Sequence, residues 1–182
     1  MRSLFNIANA LSFMRVAITP VFVWILLYQP AYLAVGILLF TIAALSDSCD
    51  GYVARRYGLV TEFGNFLDPF ADKVLIFSTF FSFYVLGFFP LWFVLLVIIR
   101  DSMITVLRLA MVNRRSPLKT SSLGKWKTTM QIMLIYSVFL LMLLGKGGMM
   151  AVLPGMVTVL IYVVAVMTAH SGVQYLVNVI RS

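Results

Sequence analysis

Five of the chain's six acidic residues fall between positions 47 and 72, in the string DSCDGYVARRYGLVTEFGNFLDPFAD. Four of them are aspartates at helical spacing. At about 100° per residue, Asp47 and Asp50 project within about 60° of each other on a helix, and Ala54 falls between them. Asp68 and Asp72, four residues apart, share a face on a second helix. A short connection makes these helices antiparallel neighbours, so the two acidic faces can meet. Four carboxylates in one place repel unless they share protons or cations. Hard oxygen donors in this number favour Mg²⁺, Mn²⁺ or Ca²⁺ over zinc, which prefers nitrogen and sulfur. Gly51 and Ala54 keep the acidic face open to a ligand, and Gly64, one turn before Asp68, allows close backbone approach. The bland alternative is a set of helix-end salt bridges to Arg55, Arg56 and Lys73. Two carboxylates on each of two facing helix ends argue against it, because ionisable groups at a membrane mark function by default.

A second constellation is basic. Arg100 and Asp101 sit inside an apolar stretch, and Arg108 follows two turns later on much the same face, since eight residues advance about 80° net. Arg100 lies deep enough to need an anionic partner, and Asp101 is the adjacent candidate. Lys125 and Lys127 open the next apolar segment. A metal cluster accompanied by such cations predicts a pocket for two phosphorylated groups, one held by metal and one by Arg and Lys. For the two lysines, the competing roles are setting topology and snorkelling to the lipid surface.

The elements that must position these groups are membrane helices. The chain is 62% hydrophobic and only 11% charged, against about 25% charged in a soluble domain, and its mean hydropathy is +1.02. A bilayer-spanning helix takes about 20 apolar residues. Glycine and proline punctuation divides the apolar runs into six, at about 8–28, 31–56, 66–86, 90–112, 123–144 and 151–180. The expected fold is therefore all-α: a polytopic membrane protein, a six-helix bundle in a single domain over 1–182. No cleavable signal pattern opens the chain, so the first segment is expected to stay as a membrane helix.

Charge placement agrees with that count. With six spans, one side carries Arg2, Arg55, Arg56, Arg114, Arg115, Lys119, Lys125, Lys127 and Arg181, while the opposite turns carry only Lys146. The positive-inside rule puts both termini and the polar loops in the cytoplasm, with the chain in the inner (cytoplasmic) membrane. The net charge of +8 then serves topology and phosphate recruitment, and no nucleic-acid-reading motif is present. Cys49 alone can form neither an intrachain disulfide nor a thiolate zinc site, and it projects off the acidic face. His170 reads as an interface residue, and the Trp and Phe content as lipid-facing bulk or interfacial anchors.

The string Asp47-Ser-Cys-Asp50-Gly51-Tyr-Val-Ala54-Arg55, followed by Gly64, Asp68 and Asp72, resembles the signature of the CDP-alcohol phosphatidyltransferase family. It matches at all eight defining positions. Outside it, Asn6-Ile-Ala-Asn9-Ala-Leu-Ser12-Phe-Met-Arg15, Arg100-Asp101 through Leu107-Arg108, and Gly124-Lys125-Trp-Lys127-Thr128-Thr-Met-Gln131 resemble the bacterial members that make phosphatidylglycerophosphate. Two departures stand out: Asp101 where those members usually have Glu, and Ala8 in place of a proline. Members that make cardiolipin often have Asp at the first of these positions.

The resemblance implies that Asp47, Asp50, Asp68 and Asp72 hold two ions, Mg²⁺ or Mn²⁺. It implies that Gly51, Arg55 and Thr61 contact the CDP part of CDP-diacylglycerol, within a donor site that includes Ala54 and Gly64. Asn9 and Arg15 are further donor-side candidates. Asp72 would also take the acceptor's proton, and Arg100, Arg108, Lys125 and Lys127 would bind the phosphate of sn-glycerol 3-phosphate. The implied products are phosphatidylglycerophosphate and CMP, the implied partners are membrane lipids, and a homodimer is common in the family. Other acceptors (phosphatidylglycerol, inositol phosphate or serine) would leave the aspartate chemistry unchanged. A divalent-cation transporter is the competing class, but it would need polar residues continuing to the far side of the membrane, where these helices are apolar.

Overall fold

A computed structural model describes the backbone of residues 7–57, 62–112, 122–144 and 153–181. It describes the side chains of residues 13–46, 70–71, 73–107, 126–144, 155–175 and 177. The described chain is all-helical: α1 (Ile7–Tyr28), a 3₁₀ turn (Pro30–Tyr32), α2 (Leu33–Tyr57), α3 (Glu62–Val85), α4 (Leu91–Val112), α5 (Ser122–Leu144) and α6 (Leu153–Arg181), with no strand among the described residues. The shortest have 22 residues, about 33 Å of helix, enough for a hydrocarbon core of about 30 Å.

Two boundaries differ from the sequence expectation. Pro30 lacks a donor N–H and starts a separate 3₁₀ turn, closed by Tyr32 N–H to the Gln29 carbonyl at 2.9 Å, so α2 begins at Leu33. Helix α3 begins four residues before the expected Phe66, because its first turn, Glu62-Phe-Gly-Asn65, is helical without being apolar.

The chain forms two compact units, Met1–Leu86 and Gly87–Ser182. In the first, α1 packs on both α2 and α3, and α2 also meets α3. Phe22 of α1 and Phe40 of α2 are fully buried, with ring centroids 5.6 Å apart. Gly36 lets the helices approach: a Cβ there would stand 3.2 Å from Ile25 Cγ2. In the second unit α6 packs against α4 and α5 over a core that includes Phe93, Val97, Leu134, Val138, Ile161 and Val164. Gly87, at φ 80°, takes the left-handed turn that glycine tolerates, and Pro90 then leads into α4.

The aromatic residues divide in a way composition does not reveal. Trp24, Trp92 and Trp126 are exposed, as anchors should be, but Phe22, Phe40, Phe80, Phe83, Phe89, Phe93 and Phe139 are core. Expecting phenylalanine to be mainly lipid-facing was wrong for these seven: helix contacts and lipid both accept an apolar ring, and packing decides between them.

Large apolar side chains such as Leu45, Ile99, Val106, Val159 and Val166 are more than 60% exposed. Surface this apolar is expensive in water at about 25 cal/mol per Å² and marks a lipid-facing protein. Trp126–Leu144 and Gly155–Tyr175 are each long and apolar enough to cross a membrane, and Phe13–Tyr28 with Pro30–Ser46 passes the same test as a pair bent by 119°. The molecule is an integral membrane protein.

Candidate active site

The backbone carries the aspartate signature on two helices of one unit. Asp47, Asp50, Gly51, Ala54 and Arg55 lie in the C-terminal half of α2, and Gly64, Asp68 and Asp72 in the N-terminal half of α3. Both segments are helical throughout, so the i,i+3 and i,i+4 spacings hold. The side chains of these eight residues lie outside the described set, as do those of Asn9, Arg108 and Lys125, and Thr61 falls outside the described backbone. No group of three or more His, Cys, Asp or Glu side chains occurs among the described residues. The donor chemistry of the signature fits a divalent cation: four carboxylates, no thiolate or imidazole, on two helices that meet.

Arg15 is described and only 1% exposed. Its Nε–H donates to the Ala43 carbonyl of α2 at 3.0 Å, one helical turn before Asp47. A guanidinium of α1 is thus fixed to the part of α2 that leads into the signature.

The basic constellation is described at its centre, in the second unit. Asp101 of α4 is 2% exposed and Lys127 of α5 is 2% exposed. Asp101 Oδ1 accepts from Arg100 Nη1 at 2.8 Å and also from Lys127 Nζ. Arg100 Nη2 donates to Ser171 Oγ on α6. Gly172 leaves room for the arginine stem, since a Cβ there would lie 3.2 Å from Arg100 Cγ. Arg100 Nε and Gln131 Nε2 are buried with no hydrogen-bond partner among the described residues.

This outcome sorts the sequence expectations. Arg100 does pair with Asp101. Lys127 is no snorkelling lysine, because its ammonium is buried on a carboxylate while its neighbour Trp126 is exposed. His170 is exposed on α6. Sequence reasoning missed Ser171 and the sharing of one carboxylate oxygen between two cations. The i,i+4 spacing of Lys127 and Gln131 was a visible hint of a polar face on α5.

The sequence profile of the CDP-alcohol phosphatidyltransferases matches residues 5–171. The chain belongs to this family. It is a phosphatidyltransferase by that membership, and dependence on a divalent cation is the rule in the family. Among curated relatives, the chain is 37% identical over 180 residues to a probable phosphatidylglycerophosphate synthase of Mycobacterium tuberculosis, covering 97% of this chain and 82% of the relative. It is 38% identical over 180 residues to the CDP-diacylglycerol–glycerol-3-phosphate 3-phosphatidyltransferase of Salmonella typhimurium, covering 94% and 93%. The Bacillus subtilis protein of the same name is 35% identical over 151 residues, covering 75% and 78%. In this phosphatidyltransferase the signature aspartates lie on α2 and α3, and Arg100 and Lys127 on α4 and α5.

Proposed function

We infer that this phosphatidyltransferase moves the phosphatidyl group of CDP-diacylglycerol to sn-glycerol 3-phosphate, giving phosphatidylglycerophosphate and CMP. The observation that carries the acceptor assignment is a pair of cations, half-buried Arg100 and buried Lys127, sharing one carboxylate. A neutral or zwitterionic acceptor has no use for two such cations. Relatives named for this reaction, matched over most of their length, support the same reading.

In this scheme Asp47, Asp50, Asp68 and Asp72 hold two Mg²⁺ or Mn²⁺ ions, which when bound neutralise the diphosphate and stabilise CMP as leaving group. Gly51, Ala54 and Gly64 leave space for the nucleotide, while Arg55 and Thr61 contact it. Asp72 accepts the proton of the glycerol hydroxyl as its oxygen attacks the phosphatidyl phosphorus. That bond forms as the bond to the CMP phosphate oxygen breaks, with CMP leaving in line. Arg100, Arg108, Lys125 and Lys127 bind the acceptor's phosphate and orient its hydroxyl.

The whole chain acts as one domain, a bundle of six spans in the cytoplasmic membrane with both termini in the cytoplasm, working as a homodimer. An interfacial site lets the donor keep its acyl chains in lipid while the acceptor arrives from water. The test is CMP release by the purified protein with CDP-diacylglycerol and Mg²⁺ across a panel of acceptors. Glycerol 3-phosphate should outrun serine, inositol phosphate and phosphatidylglycerol; faster release with serine or phosphatidylglycerol would refute the assignment.

A further inference from the structure

Asp101 is the one carboxylate whose side chain is among the described residues, and it is buried on two cations. Its Oδ1 alone accepts from Arg100 on its own helix and from Lys127 on α5, and Arg100 continues to Ser171 on α6. One acid thereby fixes two cations that come from separate helices. Such a cluster could serve stability alone, but buried ion networks are poor stabilisers, because desolvation offsets their Coulombic gain and apolar residues of similar size often do as well. One feature points to recognition instead. Arg100 Nε is buried without a partner among the described residues, although its two terminal nitrogens are both engaged. A purely structural lock would leave no such donor, since an unmet buried N–H costs about 1–3 kcal/mol.

We propose that Asp101 is a positioning residue for anion recognition: by sharing one oxygen between Arg100 and Lys127, it sets the spacing and orientation with which these cations meet a phosphate monoester. It does not touch the substrate. Ser171 and Gly172 complete the device from α6, one by anchoring the far end of the guanidinium and the other by making room for its stem. The proposal rests on the reading of Arg100 and Lys127 as acceptor-side cations, and the variants are chosen to separate the two.

The experiment measures KM for glycerol 3-phosphate and for CDP-diacylglycerol by CMP release, on full-length protein in lipid nanodiscs. Lys127→Gln tests the underlying reading and should raise KM for glycerol 3-phosphate with little change for the donor. Asp101→Asn should raise the same KM on the order of tenfold to a hundredfold, the scale of a displaced positioning group, and Asp101→Glu should restore most of it. In the Asp101→Asn/Lys127→Gln double variant the rise should be smaller than the product of the two single effects, because part of the action of Asp101 runs through Lys127. It should still be larger than in Lys127→Gln alone, because Arg100 loses its carboxylate as well. If Lys127→Gln leaves KM for glycerol 3-phosphate unchanged, the acceptor reading itself fails. If Lys127→Gln raises it but Asp101→Asn does not, or the two effects add in full, the positioning role fails alone. Should Asp101→Asn not fold, the double variant still tests the positioning of Arg100: its KM for glycerol 3-phosphate should exceed that of Lys127→Gln alone, and an equal KM would overturn the positioning role.

Discussion

Replacing Arg15 with methionine keeps a long apolar stem between α1 and α2 and removes the guanidinium. The side chain is 1% exposed, and its Nε–H meets the Ala43 carbonyl at 3.0 Å. A hydrogen bond from a charged donor contributes about 1.5–3 kcal/mol, roughly a 10- to 150-fold change in the folded ratio. The carbonyl keeps a partner, since in a continuous α-helix it also accepts from the N–H of residue 47. The Ala43 carbonyl is therefore not orphaned, and removing a buried charge returns part of the loss. The net destabilisation of Arg15→Met should therefore be about 1–2 kcal/mol. The same carbonyl belongs to the turn that presents Asp47, so the Mn²⁺ concentration for half-maximal activity should rise severalfold. Unfolding of the detergent-solubilised protein followed by tryptophan fluorescence, with CMP release titrated against Mn²⁺, measures both. Arg15→Lys should fall between parent and Arg15→Met. If Arg15→Met matches the parent in stability and in metal requirement, the bond to Ala43 is not a clamp on α2 and the reasoning fails.

Three further outcomes are expected. Asp72→Asn should cut CMP release by two or more orders of magnitude, of the size general bases contribute, while binding of CDP-diacylglycerol persists; undiminished turnover would remove Asp72 from the mechanism. Chelation should abolish activity and added Mg²⁺ or Mn²⁺ restore it, whereas activity surviving exhaustive EDTA treatment would contradict a metal role for the aspartates. At Gly172, Ala should be nearly neutral, because helix propensity gains about what the 3.2 Å approach to Arg100 costs. The branched Gly172→Val should lose about 1–3 kcal/mol from overpacking and raise KM for glycerol 3-phosphate; thermal unfolding and steady-state kinetics report the two effects.

The helices were legible because each apolar run is long enough to span lipid and ends at Gly, Pro or a charge cluster. The onset of α3 was not, since Glu62-Phe-Gly-Asn65 continues the helix with residues that look like loop. Nor was the split of phenylalanines between core and lipid: a soluble helix betrays its buried face by contrast with a polar one, and here both faces are apolar. The helical placement of the aspartate signature could be read directly because all four acids lie within two adjoining helices. The Arg100–Asp101 pair was equally plain, its members being neighbours in sequence. Lys127 and Ser171 join it across 26 and 71 residues, and no periodicity within one helix encodes which face of another it will meet.

Thr19, Thr41, Ser46, Thr79, Ser82, Thr105 and Ser137 each donate their hydroxyl to the carbonyl four residues back in the same helix. A polar group satisfied within its own segment can enter hydrocarbon before any neighbouring helix has been made. The charged groups follow a different schedule. Arg100 and Asp101 enter already paired on α4, but Arg15 finds the Ala43 carbonyl only when α1 meets α2, and Lys127 reaches Asp101 only when α5 meets α4. Hydroxyls thus ease the insertion of single segments, while Arg15 and Lys127 penalise any segment that stays alone, giving the newly inserted chain an electrostatic reason to assemble.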